Sequence, residues 1–297
     1  MQANAYYANR IDFDAWRSKI AKLNAASPIT FFQSVQLVGQ LLVELGDHHS
    51  LRLSPGERKA LDSRATAAAL SGPAPTGEVD SMKVGYVMLP SVVAVDGSGS
   101  YAEYVAGARG LLDDQACGWI VDLRDDSGGS VPPMLAAVAP LLGPGVFIGS
   151  RNRDDQTSGF QITLTGTVTS VDDVEGNTSR TTISDTDADA DGAEKPVAVL
   201  IGPTTASAAE AILIAFTGRP NTRSFGAATA GMPTGNSGIS LSDGSLLVLT
   251  TTVGVDRNGR TYESRINPDT PIESAGNNDQ VRTAAHTWIR SQSTCNQ

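Results

Sequence analysis

The chain has 297 residues, 40% of them hydrophobic, enough for one large domain or a core with a smaller appendage. Its formal net charge of −10 argues against nucleic acid or an anionic membrane surface as a partner. Two cysteines, Cys117 and Cys295, make neither a disulfide framework nor a metal-ligand spacing and leave one bridge or two free thiols open. No run of about 18 apolar residues is present to form a transmembrane helix. The opening residues, Met1 to Tyr7, lack the charged and apolar regions of a signal peptide.

Residues 10 to 71 read as helical. Phe13, Trp16, Ile20 and Leu23 recur at helical spacing behind Asp12, a good N-cap. After Pro28 a second apolar stripe runs through Phe31, Val35, Val38, Leu42 and Leu45 and stops at Gly46. Asp47, His48, His49 and Ser50 follow that stop, and a third helix is expected over Glu57 to Leu70. The stretch 71–77, rich in proline and glycine, reads as a linker. The expected division is therefore a small helical domain over 1–75, carrying the histidine pair, and a core over 76–297.

Beyond the linker, strand and helix alternate, which argues an α/β core. Strands are expected at Val84 to Leu89 and Trp119 to Leu123, helices at Tyr101 to Leu112 and Met134 to Leu142. Phe160 to Val171 alternates like a half-exposed strand or hairpin. The segment from Asp172 to Lys195 is polar and reads as a surface insertion or a cation site. Its Asp187-x-Asp-x-Asp-Gly run imitates the first half of a calcium loop, but the acid needed at the loop's end is replaced by Ala198. Later, Phe225 to Met232 reads as a turn of small residues. A hairpin is expected around Asp243 and Gly244, a tight turn at Asn258 and Gly259, an extended tail over Tyr262 to Pro268, and a closing helix from Asp279 to Arg290. The third histidine, His286, falls in that helix and reads as structural.

The chemistry centres on one stretch. Val197 to Ile201 is an apolar run too short for a helix and reads as a buried strand. A turn through Gly202, Pro203, Thr204 and Thr205 leads into a helix-forming run from Ala206 to Phe216. Ser207 stands where turn becomes helix, beside the free N–H groups of the first turn, which favour developing negative charge. That placement suits a nucleophile in acyl transfer; taken alone it is more commonly that of a plain helix cap. Ser127-Gly128-Gly129, after a buried strand, offers backbone N–H groups for an oxyanion.

Taken together, these segments resemble the tail-specific, or C-terminal-processing, family of serine peptidases. Leu45 to Ser50 resembles the family's Leu-Gly-Asp-x-His-Ser segment. Asp122 to Gly129 resembles its Asp-Leu-Arg-x-Asn-x-Gly-Gly turn, with Asp126 in the asparagine's place. Thr205 to Glu210 resembles its Thr-Ala-Ser-Ala-x-Glu segment, and Gly226 to Gly231 with Ile266 to Asp269 its Gly-x-x-Thr-x-Gly and Ile-x-Pro-Asp signatures. The resemblance implies a crotonase and Clp-protease type of fold, built from ββα units behind a small helical domain. It implies Ser207 as nucleophile and, as oxyanion donors, the N–H groups of Ala208 and of Gly128 or Gly129, with Gly128 favoured. The family's lysine-dyad branch has a lysine where this chain has Met232, and commonly a PDZ domain where this chain has only the linker. The chain is more similar to the tricorn-core and retinoid-binding-protein-like branch. That implies His49 as base, His48 as a supporting residue and Glu263 as the acid that orients the histidine. Asp122 and Arg124 are expected to pair, and Glu210 to steady the nucleophile helix and hold a loop. The expected activity is hydrolysis of a peptide or protein substrate without metal or organic cofactor. A small ester or amide hydrolase and a non-catalytic binding protein on the same fold are the alternatives.

Overall fold

A computed structural model describes residues 1–71, 74–93, 100–112, 115–162, 168–174, 177–184, 193–272 and 279–296. The N-terminal part contains α1 (Phe13–Ala26), α2 (Phe31–Leu45), β1 (Leu51–Leu53) and α3 (Pro55–Ser71). Next come β2 (Thr76–Val79), β3 (Val84–Met88), α4 (Ser100–Leu111), β4 (Gly118–Asp122), α5 (Val131–Leu142), β5 (Phe147–Asn152), β6 (Thr157–Ile162), β7 (Val168–Val174) and β8 (Asn177–Ser184). The remainder holds β9 (Val197–Ile201), α6 (Ala208–Phe216), β10 (Thr222–Gly226), β11 (Thr234–Ser240), β12 (Leu246–Val255), β13 (Thr261–Tyr262), β14 (Thr270–Pro271) and α7 (Gln280–Arg290).

Two sheets organise these elements. The six-stranded sheet runs β14-β10-β9-β4-β3-β2, with parallel pairing from β14 through β3 and β2 antiparallel at the edge. Its centre is buried on both faces, so β9 is apolar throughout. Side chains alternate across it: Val197, Val199 and Ile201 face the main core with α4, α5 and α6, while Ala198 and Leu200 face a second core with α7. Each fully buried aliphatic side chain here contributes about 1.5–3 kcal/mol. The second core also holds a disulfide between Cys117 and Cys295, which ties the chain end to the start of β4.

The other sheet runs β1-β12-β5-β6-β7-β8, with β11 and β13 also paired to β12. The N-terminal residues are stitched to β12. Leu51 to Leu53 pair with it antiparallel, Tyr6 N–H donates to Thr250 C=O at 2.9 Å, and Tyr7, Trp16 and Leu45 pack against Leu249 and Val253. Asp12 caps α1 as its side chain suggests, and Gly46 ends α2 with φ +67°, a conformation costly for a residue with a Cβ. Only one end of this helical pair reaches the core, however. Trp16 and Leu45 are buried, whereas Ile20, Leu23 and Phe31 are exposed despite lying on the predicted stripes.

Several strands differ from the sequence reading. The linker stretch contributes Thr76 and Gly77 to β2, while 72–73 lie outside the described residues. The turn of small residues expected from Phe225 begins inside β10, and the polar segment after Asp172 continues β7 and forms β8. The hairpin and tight turn expected after Gly238 are formed by β11, β12 and β13. The calcium-like run lies at 185–192, outside the described residues.

Candidate active site

The nucleophile turn is built from hydrogen bonds that the sequence places in order. Thr205 Oγ1 donates to Leu123 C=O at 2.8 Å and accepts from Gly202 N–H at 3.0 Å, so the end of β9 is tied to the end of β4. Ala206 N–H donates to Asp126 C=O at 3.2 Å. The helix then starts at Ala208, two residues later than the apolar run suggests, because Ala206 and Ser207 belong to the turn.

Ser207 is the N-terminal neighbour of α6 but not an ordinary cap. A cap residue sits in the extended region; Ser207 has φ 52° and ψ −114°. A non-glycine residue in that region is strained, and such strain concentrates at functional turns. A serine on a strained strand-to-helix turn is also the arrangement that exposes a nucleophilic hydroxyl. Glu210 holds the turn in place. Its fully buried carboxylate accepts from Ser207 N–H at 3.0 Å, Thr229 Oγ1 at 2.5 Å, Gly231 N–H at 3.0 Å and Met232 N–H at 2.8 Å. Burial raises its pKa, and these four donors oppose that rise. Thr229 Oγ1 also accepts from Ile266 N–H at 2.9 Å. The Gly-x-x-Thr-x-Gly and Ile-x-Pro-Asp segments thus serve as scaffold for the serine turn.

Ser207 opens into a cleft of about 350 Å³ whose lining includes His49, Gly129, Ala208, Thr234, Val131, Ile148, Phe160 and Ile214. His49 comes from the turn after α2. Asp47 Oδ1 folds that turn by accepting from His49 N–H at 2.9 Å and Ser50 N–H at 2.5 Å, and it is moored to β12 by Thr250 Oγ1 at 3.0 Å. Asn236 Nδ2 on β11 donates to His49 C=O at 3.3 Å. The imidazole Nδ1 lies 2.7 Å from Thr234 Oγ1. Burial lowers the imidazole pKa below its ordinary value, while the Asp47 charge pulls it upward.

The other predicted site residues are distributed differently. His48 is exposed and does not line this cleft. Glu263 is exposed, bonds to Tyr6 and lines two other cavities of about 730 and 620 Å³; the residue at the His49 ring is Thr234 instead. Gly128 is buried and its N–H donates to Asp126 Oδ1 at 2.8 Å. Gly129 and Ala208 both line the cleft, and among the described residues neither N–H has an acceptor in the chain. Gly128 is indispensable as a spacer, since a Cβ there would stand 2.8 Å from the Cβ of Ser207 and from Ala206 O. Met232 is held through its backbone by Glu210, and among the described residues no lysine lines the cleft.

Asp122 and Arg124 pair at 2.6 Å, and Arg124 bridges on to Asp279 at 2.8 Å, fixing the end of β4 against the start of α7. His286 pairs with Asp80 at 2.7 Å and lies outside the cleft. Thr234 and Asn236 were not legible in the sequence: neither belongs to a motif, and only the pairing of β11 with β12 brings them beside the histidine turn.

Ser207 with its strained backbone, the part-buried His49, and the Gly129 and Ala208 N–H groups, which have no acceptor among the described residues, thus share one cleft of an α/β fold. The chain belongs to peptidase family S41, whose model matches residues 83–272. The nisin-resistance protein of Lactococcus lactis subsp. lactis is 29% identical over 206 residues, 69% of this chain and 59% of that protein, so the chain spans less than two thirds of that relative. A lipoprotein from Streptococcus agalactiae superposes with a TM-score of 0.73 at 22% identity, over 98% of this chain and 92% of that one. A Parabacteroides merdae protein described as a candidate peptidase superposes with a TM-score of 0.56 at 17% identity, over 92% and 88%. At these identities the structural likenesses speak for a shared fold.

Proposed function

We propose that the chain is a serine peptidase that cleaves peptide bonds through an acyl-enzyme, with Ser207 as nucleophile and His49 as base. The observation that carries this reading is the placement of both residues on one cleft, with Ser207 in a backbone conformation that a mere cap does not need. With Nδ1 protonated and donating to Thr234 Oγ1, His49 keeps Nε2 free to take the Ser207 proton. Ser207 Oγ then attacks the scissile carbonyl, whose oxygen gains negative charge. Gly129 and Ala208 supply the N–H groups for that charge, so the favoured glycine donor moves from Gly128 to its neighbour. His49 returns the proton to the leaving amine, and water hydrolyses the ester by the same route in reverse. No step of this cycle calls on a metal or an organic cofactor.

The substrate is a peptide or protein segment with an apolar side chain, for which Val131, Ile148, Phe160 and Ile214 form the cleft wall. Residues 1–75 act as part of the catalytic unit, because the base comes from them and the nucleophile from the core. Glu263 and His48 take no direct part, since neither lines the cleft.

The test is covalent labelling by a fluorophosphonate, followed by cleavage profiling on a peptide library. The Lactococcus relative is named for nisin resistance, which makes nisin a natural first substrate. Labelling of the wild type and none of a folded Ser207→Ala variant is the expected result. A wild type that stays unlabelled and cleaves nothing leaves a binding protein on this fold. Labelling and ester turnover without peptide cleavage leaves a small ester or amide hydrolase.

A further inference from the structure

Behind the Gly128–Gly129 turn lies a carboxyl that the catalytic cycle above does not use. Asp126 is fully buried. Its Oδ1 accepts from Gly128 N–H at 2.8 Å and from Ser91 Oγ at 3.0 Å. Its Oδ2 is buried and has no hydrogen-bond partner among the described residues. Its own carbonyl accepts from Ala206 N–H at 3.2 Å, one residue before Ser207. One residue therefore touches both the oxyanion turn and the nucleophile turn. Ser91 braces the same turn from outside, its Oγ accepting from Ser127 N–H at 2.8 Å.

We propose that Asp126 is a positioning residue whose ionised carboxylate grips Gly128 and so sets Gly129 against Ser207 for acyl transfer. The proposal rests on the serine peptidase reading of the cleft. Its physical basis is the difference between the two protonation states. A hydrogen bond to an ionised acceptor is roughly twice as strong as one to a neutral acceptor. Protonation would remove that charge and place an O–H at Oδ2, where the described residues offer no acceptor, so the neutral form holds the turn less firmly.

The surroundings place this change in an accessible range. Burial pushes the carboxyl up to about 6, against the opposing pull of Gly128 N–H and Ser91. The polar groups acting on it are Gly128 and Ser91; the Tyr104 hydroxyl of α4, bonded to Pro90 C=O, is kept neutral by burial and by the Asp126 charge. Among the described residues no cation offsets the burial. The carboxylate is thus present at neutral pH and is lost as pH falls through about 6.

Asp126→Asn keeps an acceptor at Oδ1 and cannot titrate. In ¹⁵N-labelled protein carrying Ser207→Ala, where no turnover intervenes, the Gly128 and Gly129 amide resonances should move with a midpoint of about 6. They should stop moving when Asp126→Asn is added. In the active enzyme, the acid limb of log kcat/KM against pH should have a slope of about two, one proton from His49 and one from Asp126, and Asp126→Asn should reduce it to about one. Amides that stay still between about pH 5 and pH 7.5, or a limb unchanged by Asp126→Asn, would overturn the proposal. If no peptide is cleaved but the Gly128 amide still titrates with Asp126, the peptidase reading fails and the carboxyl's grip on the turn stands.

Discussion

His49 Nδ1 lies 2.7 Å from Thr234 Oγ1, so the ring, which lines the same cleft as Ser207, is oriented by a hydroxyl and not by a carboxylate. This changes the electrostatics of the proposed base. A carboxylate bonded to the ring would raise its pKa and stabilise the imidazolium that forms during attack. A threonine fixes the tautomer without adding charge, and Asp47, whose negative charge acts on the ring, has its Oδ1 engaged by the backbone of its own turn and by Thr250. Burial then dominates, and the imidazole titrates below its usual value.

Substitutions in this constellation should rank in a definite order. His49→Ala should lower kcat/KM by roughly 10³-fold or more, as removal of a base that works as a unit with its serine does. Thr234→Val keeps the shape and removes the ring's partner; a loss on the order of 10- to 100-fold in kcat, with KM little changed, is expected from a disordered tautomer and orientation. His48→Ala should be close to wild type, because its side chain is exposed and lies off the cleft. Steady-state kinetics on one peptide substrate measures all three. A dead His48→Ala beside an active His49→Ala would show that the base is the other histidine.

The acid limb of the rate profile should report His49. The base must be neutral to accept a proton, and a lowered pKa extends the neutral form to lower pH. The His49 ionisation in kcat/KM should therefore lie below about 6.5, the ordinary histidine value. Measuring it in the Asp126→Asn background removes the second carboxyl from the same limb. A midpoint clearly above 6.5 would mean that a negative charge outweighs burial when substrate is bound.

Much of this site could be read from the chain because its parts are local. Ser207 lies between a five-residue apolar strand and a helix-forming run, and period and length alone separate the two. Glu210 stands one helical turn from the serine, so its hold on that residue follows from spacing. Thr234 and Glu263 mark where local reading ends. Which hydroxyl meets the His49 ring depends on β11 lying along β12, a local hairpin, and on the histidine turn being moored to both by contacts across 185 residues or more. The short edge strands β1 and β2 were hidden for a related reason: Leu51–Leu53 and Thr76–Val79 carry too few residues to show a period of two.

Glu210 should prove structural and catalytic at once. Glu210→Ala would leave three buried or part-buried N–H donors and the Thr229 hydroxyl without their acceptor. Stability should fall by about 3–5 kcal/mol, the usual result of removing one partner from a buried charged network. Activity should fall further than stability explains, because the strained Ser207 backbone is then free to relax. Chemical denaturation and fluorophosphonate labelling rate separate the two effects. Glu210→Gln, which keeps one oxygen acceptor, should recover part of both.

The Cys117–Cys295 bridge should separate stability from chemistry in the opposite sense. It closes a loop with a sequence separation of 178 and joins the β4 start to the segment after α7, on the face of the six-stranded sheet opposite the main core. Neither cysteine lines the cleft that holds Ser207. A loop of this length loses much conformational freedom in the unfolded chain, so the double variant Cys117→Ser, Cys295→Ser should cost about 2–4 kcal/mol. Reducing agent should lower the Tm of the wild type toward that of the variant and leave the variant unmoved. At temperatures well below both transitions, kcat/KM should be equal in the two proteins. A large drop in kcat/KM with an unchanged Tm would show that the bridge shapes the cleft through β4 and the Asp126 turn that follows it.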